Sequence, residues 1–278
     1  MIKSVFLNSL KHLRITIFWP IFLSWCSAAF FFGLFLLSSG LLNFILSKHI
    51  PFGERFIFDA GIEVAKFLRN NLVQVGITFA IFFALHFVVG SSLHSVRYGV
   101  IRDIINGKPQ GIFKGTWNAR HYAKTKFWSV VFMRVLTSLI VSIVLLLTVL
   151  ITAQINPQQA STLVNVLVPL FIVILFFFTG LLLLFRYAYI FMARQSAIHA
   201  LKHSMSQIVK HPRYVILVGL IVAFVNMLAG VLQLFQIPSL KLALLIIMII
   251  LVVLISMWQD LFIFEAFTLK LLKNLQQR

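Results

Sequence analysis

Of the 278 residues, 61% are hydrophobic, 11% are charged and 30 are phenylalanine. A water-soluble domain carries about 25% charged residues, so a chain this apolar could not cover its own surface in water. Apolar runs of about 20 residues place it among helical integral membrane proteins. The 24 Lys and Arg against 6 Asp and Glu give a formal charge of +18. In a soluble protein that balance points to nucleic acid. In a membrane protein basic residues collect in cytoplasmic loops, so no nucleic-acid partner is expected. Cys26 is the single cysteine and permits no intrachain disulfide.

The predicted architecture is all-α, a polytopic six-helix bundle. The first span falls within residues 15–46, longer than one bilayer requires, with Pro20 and Gly40 as candidate break points. Leu23-Ser24-Trp25-Cys26 has the outline of a lipoprotein cleavage box. Trp25 is too bulky for it, and the apolar run continues to Leu46, so the segment is expected to stay in the mature chain. Residues 47–72 read as a helix lying on the outer face. Phe56, Ile57, Ala60, Val64, Phe67 and Leu68 recur at helical spacing, and Arg55–Asp59 and Glu63–Lys66 can pair on the wet side. Such a helix serves as a lid or partner platform, or simply fills a long connection.

The second span covers 73–96 and leads into a basic connection, 97–126. The third and fourth cover 127–154 and 163–185, and a second basic connection covers 194–213. The last two, 214–235 and 242–264, are joined only by Gln236 to Lys241, a link with Pro238 that forces an antiparallel hairpin. The N-terminal segment, the two basic connections and the tail hold 17 Lys and Arg, against 5 in the alternate segments. Both termini are therefore expected in the cytoplasm, with the chain multi-pass in the cell membrane.

Each pair of spans is preceded by a basic amphipathic segment. Ser9-Leu10-Lys11-His12 precedes the first span, Trp117 to Lys126 the third, and Ala200-Leu201-Lys202-His203 the fifth. The second and fourth spans end in Val96-Arg97-Tyr98-Gly99 and Phe185-Arg186-Tyr187-Ala188, and Met257-Trp258-Gln259-Asp260 stands at a similar place in the sixth. This pattern suggests three repeated hairpins.

Two stretches carry a family resemblance. In Arg186 to Ile221 an aromatic-rich span end (Arg186, Tyr187, Tyr189) leads into a helix with Ala197, Ala200, Leu201 and Ser204, ending at Lys210-His211-Pro212-Arg213. In Arg97 to Val131, Arg102, Gly107 and a basic run lead to Phe127-Trp128. Together they cover about a quarter of the chain. The chain resembles a family of six-span membrane domains that includes the one attached to some bacterial glycerophosphodiester phosphodiesterases. The resemblance implies a six-helix bundle with both ends inside and an unassigned biochemical role. It does not carry phosphodiesterase chemistry, which belongs to a soluble catalytic domain.

Charges inside a bilayer are costly and usually pair or face the bundle interior. Asp260 and Glu265 lie near the inner end of the sixth span, Arg134 lies one to two turns into the third, and Arg186 closes the fourth. An ionic layer linking Arg134 or Arg186 with Asp260 or Glu265 is predicted, as a structural clasp or as a gate. His199 and His203 share a helix face, but Ala200 stands where a metalloprotease motif needs Glu, so a basic surface facing lipid is the expected role. His86 and His94 share a face of the second span without a matching partner for haem. Gly107-Lys108 lacks the other residues of a phosphate loop. No cofactor, metal or catalytic set is expected.

Gly219, Ala223, Asn226 and Gly230 fall on one face of the fifth span and Gly76, Ala80 and Ala84 on one of the second, suited to close helix packing or an oligomer seam. Basic residues interleave with apolar ones over 114–126 and 198–214. Lys114, Arg120, Lys124, Lys126, Lys202, Lys210 and Arg213 are the expected contacts to anionic headgroups, with Trp117, Tyr122, Ile208 and Val209 beside them. Three functions fit to different degrees. The first is a non-catalytic scaffold, assembly factor or accessory subunit, with a protein partner or a second copy. The second is a transporter or channel for a lipid or other amphipathic small molecule. The third, a membrane enzyme, needs a converging polar site that the sequence does not offer.

Overall fold

The computed structural model describes residues 2–13, 15–47, 64, 66–108, 112–153, 162–234 and 242–272, and their regular structure is entirely helical. Among the described residues five helices are long and apolar enough to cross a membrane: Thr16–Ser38, Leu72–Ile105, Phe127–Ile151, Leu167–Phe191 and Ile247–Leu271. A sixth crossing is reached if Ala197–Lys210 and Pro212–Leu228, bent by 109°, count as one. The chain is an all-α, multi-pass membrane protein. It divides into two compact units, Phe22–Leu93 and Met1–Ile21 with His94–Arg278.

Helix α1 (Ile2–Lys11) is amphipathic, burying Val5 and Ser9. Helix α2 (Ile15–Ser38) runs through Pro20 unbroken. Proline has no N–H for the carbonyl four residues back, which here is that of Thr16. The Thr116 hydroxyl donates to the Thr16 carbonyl at 3.4 Å in its place. The helix ends at Ser39–Gly40, where Gly40 has φ +74°, a conformation open to glycine for want of a Cβ. A short helix, α3 (Leu41–Ser47), follows.

In the unit Phe22–Leu93 the side chains meet mainly as rings. Phe35 and Phe79 lie 5.7 Å apart edge to face, and Phe31 and His86 6.2 Å apart. A cavity of about 110 Å³ opens among Ala28, Phe31, Phe35, Phe79, Phe83 and His86. Of the expected outer helix, 66–70 is helical and Phe67 stacks on Phe44 at 4.7 Å. Phe56, Ile57, Ala60, the Arg55–Asp59 pair and Glu63 lie outside the described residues, as does the Gln236–Lys241 link.

Helix α4 (Leu72–Ile105) has 34 residues, about 50 Å at 1.5 Å per residue. The expected end at Val96 is therefore passed by more than two turns. The chain turns only at Gly107 (φ +74°). There the N–H of Lys108 bonds the Asp103 carbonyl and that of Gly107 the Ile104 carbonyl, each at 3.0 Å. This is a Schellman motif, which places glycine in the left-handed conformation.

The second unit continues with α5 (Ile112–Asn118), α6 (Arg120–Thr125), α7 (Phe127–Ala153), α8 (Thr162–Leu183), α9 (Arg186–Phe191), α10 (Ala197–Lys210), α11 (Pro212–Leu234) and α12 (Leu242–Ala266). The last runs into a π-helical turn, Phe267–Leu272. The core of this unit sits at the basic ends of the spans, where Phe185, Tyr189, Phe191, Phe262 and Phe267 are fully buried. Two irregular points show how the backbone stays satisfied there. Between α8 and α9 the Ser204 hydroxyl accepts from the Phe185 N–H at 3.2 Å and donates to the Leu182 carbonyl at 2.8 Å. At the π-turn the Tyr214 hydroxyl donates to the Ala266 carbonyl at 2.7 Å.

Candidate functional site

Polar and aromatic side chains converge where α4, α8–α9 and α12 come together. Tyr98 stacks on Tyr187 at 4.5 Å with planes 19° apart, and on Phe264 at 5.6 Å with planes 10° apart. Each of the three sequence hairpins thus contributes one ring from its second span. The amphipathic segments pack around this stack in a regular way. Helix α1 leans on α12 through Phe6–Trp258, 5.5 Å. The Tyr122 ring of α6 lies so close to α4 that a Cβ on Gly99 would overlap it. Helix α10 reaches α8–α9 through Ser204 and through Gln207, whose Nε2 donates to the Tyr189 hydroxyl at 2.5 Å. Each segment therefore leans on the second span of another hairpin.

The ionisable groups of this junction hold one another. Arg97 donates to Asp260, which it pairs as a salt bridge. His12 Nδ1 lies 2.5 Å from Oε1 of the buried Glu265. The Tyr122 hydroxyl donates to Asp103 Oδ1 at 2.9 Å and accepts from Arg102 at 3.2 Å. Lys108 Nζ stands 3.2 Å from the same Asp103 oxygen. Burial, and then the bonded Asp103 carboxylate, push the Tyr122 phenol up to about 12. Burial, followed by the charges of Arg102 and Arg194, pushes the Lys126 ammonium down from its ordinary range.

The expected ionic layer, Arg134 or Arg186 with Asp260 or Glu265, gains two members that the sequence reading did not include: Arg97 pairs with Asp260 and His12 lies on Glu265. The reason is helical continuation. Because α4 does not stop at Val96, Arg97 stays on a rigid helix facing α12, and its charge is neutralised there. Arg186 acts on Asp260 electrostatically. Its guanidinium donates to the Leu183 carbonyl at 2.6 Å and covers the Tyr187 ring at 4.7 Å. Arg134 is half-buried. Sequence reading placed Arg97 in the Arg-Tyr pair at the end of the second span but did not assign it to the ionic layer. Asp103 and Tyr122 carried no signal of their contact, because it needs the chain reversal at Gly107.

The expected lipid-contact residues are mostly at the surface. Arg120, Lys124, Lys202, Lys210 and Arg213 are exposed, Arg120 covering Trp117 at 4.1 Å, while Lys126 is half-buried. The side chain of Lys114 lies outside the described residues. Tyr122, grouped with that surface in the sequence reading, is buried. On α11, Gly219 makes the close approach, since a Cβ there would run into Leu181 of α8. Ala223 is half-buried and Asn226 is exposed. The surroundings of Gly230 lie outside the described residues. His199 bonds Ser196 at 2.9 Å, and His203 packs on Tyr189 at 5.6 Å. Among the described residues no group of three or more His, Cys, Asp or Glu is placed to hold a metal ion. Comparison of the chain with protein-family models, with curated proteins and with solved structures gives no match.

Proposed function

We propose that the protein is a non-catalytic component of the cell membrane, a scaffold, assembly factor or accessory subunit, whose basic helices lie on anionic lipid. Both termini are then cytoplasmic, because the segments rich in Lys and Arg all fall on one side. The observation that carries this reading is the mutual pairing at the junction. Arg97 with Asp260, His12 with Glu265, and Asp103 with Tyr122 and Lys108 use their charges on one another. A catalytic site keeps such groups aimed at a reacting centre. The exposed lysines of α10 and the Arg120–Trp117 stack supply the composition that favours an anionic lipid surface. The likeness of Arg186–Ile221 to the six-span membrane domains is part of the same proposal.

A second reading, transport of a lipid or similar amphipathic molecule, is favoured by the phenylalanine-lined cavity of about 110 Å³. Gentle purification from native membranes followed by native mass spectrometry separates the two. A stoichiometric protein partner is expected. A lone chain or homo-oligomer that retains a defined lipid would overturn the accessory-subunit reading in favour of transport.

A further inference from the structure

A groove runs between α2 and α4 in the unit Phe22–Leu93. The two helices pass antiparallel there, since Phe35 meets Phe79 at 5.7 Å and Phe31, one turn earlier, meets His86, two turns later, at 6.2 Å. Along α4, Phe79 and Phe83 stack at 5.6 Å with planes 22° apart and form one wall. Between the rings lies the cavity of about 110 Å³, and every side chain that lines it is phenylalanine except Ala28 and His86. The antiparallel register sets Phe35 and Phe79 at the end nearer Gly40, and Ala28 and His86 at the deep end. The single methyl of Ala28 among rings is what leaves the space.

Depth, mouth and width together limit what fits there. Both walls belong to helices long and apolar enough to cross a membrane. At 1.5 Å per residue the deep end lies about 15 Å from the end of α2 at Ser38 and about 21 Å from the start of α4 at Leu72. The hydrocarbon core of a bilayer is about 30 Å thick, so the groove runs from one surface to about the midplane, the reach of one acyl chain. Phe32, Phe79 and Phe83 at its mouth are exposed, which in a membrane is exposure to lipid. A helix with its side chains is about 10 Å across, too wide for this space. An apolar cavity of about 150 Å³ stays dry and takes up benzene. A smaller one with the same kind of lining suits a stretch of hydrocarbon, which supplies the dispersion contacts that separated rings cannot give one another.

We propose that this groove is a binding site for one hydrocarbon chain of a membrane lipid, held between the rings from the end near Gly40 down to Ala28 and His86. The phenylalanines supply faces and edges along the chain, and Ala28 supplies the room. The site requires neither transport nor a protein partner, because an accessory subunit and a transporter would each keep a chain there.

The test uses the full chain in phosphatidylcholine vesicles containing a phosphatidylcholine with a diazirine midway along one acyl chain. After illumination, the adducts are mapped by peptide mass spectrometry. Leu139, Leu146 and Leu150 of α7 are exposed and report ordinary contact with lipid. Residues 28–35 and 79–86 are expected to take about fivefold more label than α7, because a chain held among rings exchanges more slowly than bulk lipid. Ala28→Phe fills the space and should bring residues 79–86 down to the level of α7 without lowering the melting temperature. Ala28→Leu, a smaller plug, should act part-way and serves if Ala28→Phe does not fold. Label at 79–86 that equals α7 in the unaltered chain, or that persists in both Ala28 variants, overturns the site. That outcome also removes the support for transport and leaves the accessory-subunit reading in place. Label well below α7 overturns it in favour of a second helix covering the groove. His86→Leu should keep the label, and its loss would overturn a hydrocarbon occupant in favour of a ligand with a polar group at that depth.

Discussion

In the unit Phe22–Leu93 the largest side chains face outward: Phe30 and Phe32 are each 61% exposed, and Phe79 is 53% exposed. In the other unit Phe185, Tyr189 and Phe191 are fully buried, and the ionic groups among them are paired. The difference follows from the solvent. Lipid tails are as apolar as phenylalanine, so hiding one ring behind another stabilises a membrane helix pair very little. Hydrogen bonds, neutralised charges and close backbone contact must do it instead, and these are concentrated around Tyr98, Arg97 and Gly99. The aromatic unit is held by ring edges and faces that lipid could replace. The junction is held by contacts that lipid cannot supply.

The sharpest way to break this comparison is at Arg97. Arg97→Met leaves Asp260 charged and unpaired, and should cost about 3–5 kcal/mol in detergent unfolding. The double variant Arg97→Met with Asp260→Leu should recover most of it. A double variant no more stable than the single would show that the pair does more than neutralise itself. Gly99→Ala comes next. Its methyl would overlap the Tyr122 ring, and a loss of about 1–3 kcal/mol is expected, with the Tyr122–Asp103 bond disturbed.

A third test is a pH profile. Tyr122 keeps its proton to about 12 when folded, against 10.0 ordinarily. Between those values the folded chain binds a proton that the unfolded chain has released. The contribution is therefore full below pH 10.0 and is lost as pH rises towards about 12. Tyr122→Phe should flatten the fall in melting temperature across that window, and an unchanged slope would remove Tyr122 as its cause. The smallest effect is expected in the aromatic unit. Phe79→Leu should change stability by no more than about 0.5 kcal/mol. A loss as large as that of Gly99→Ala would mean that the rings there are a true core.

Much of this is legible in the amino-acid sequence. The apolar runs mark helices whatever their neighbours, because an unsatisfied backbone in lipid leaves a spanning segment few other choices. Gly40, a candidate break point, carries its turn because it lacks a Cβ. The Arg-Tyr pairs suggested repeated hairpins, and Tyr98 and Tyr187 of those pairs stack on one another. The partners were a different matter. His12 and Glu265 are 253 residues apart in sequence and Arg97 and Asp260 are 163 apart, so no spacing rule connects them.

By itself the sequence determined class and local structure, since hydropathy, helix length and glycine conformation act within a few turns of chain. Only the tertiary structure decided which charge neutralises which. Electrostatic and hydrogen-bond energy depends on distances of a few ångströms between groups from different helices, and packing alone sets those distances.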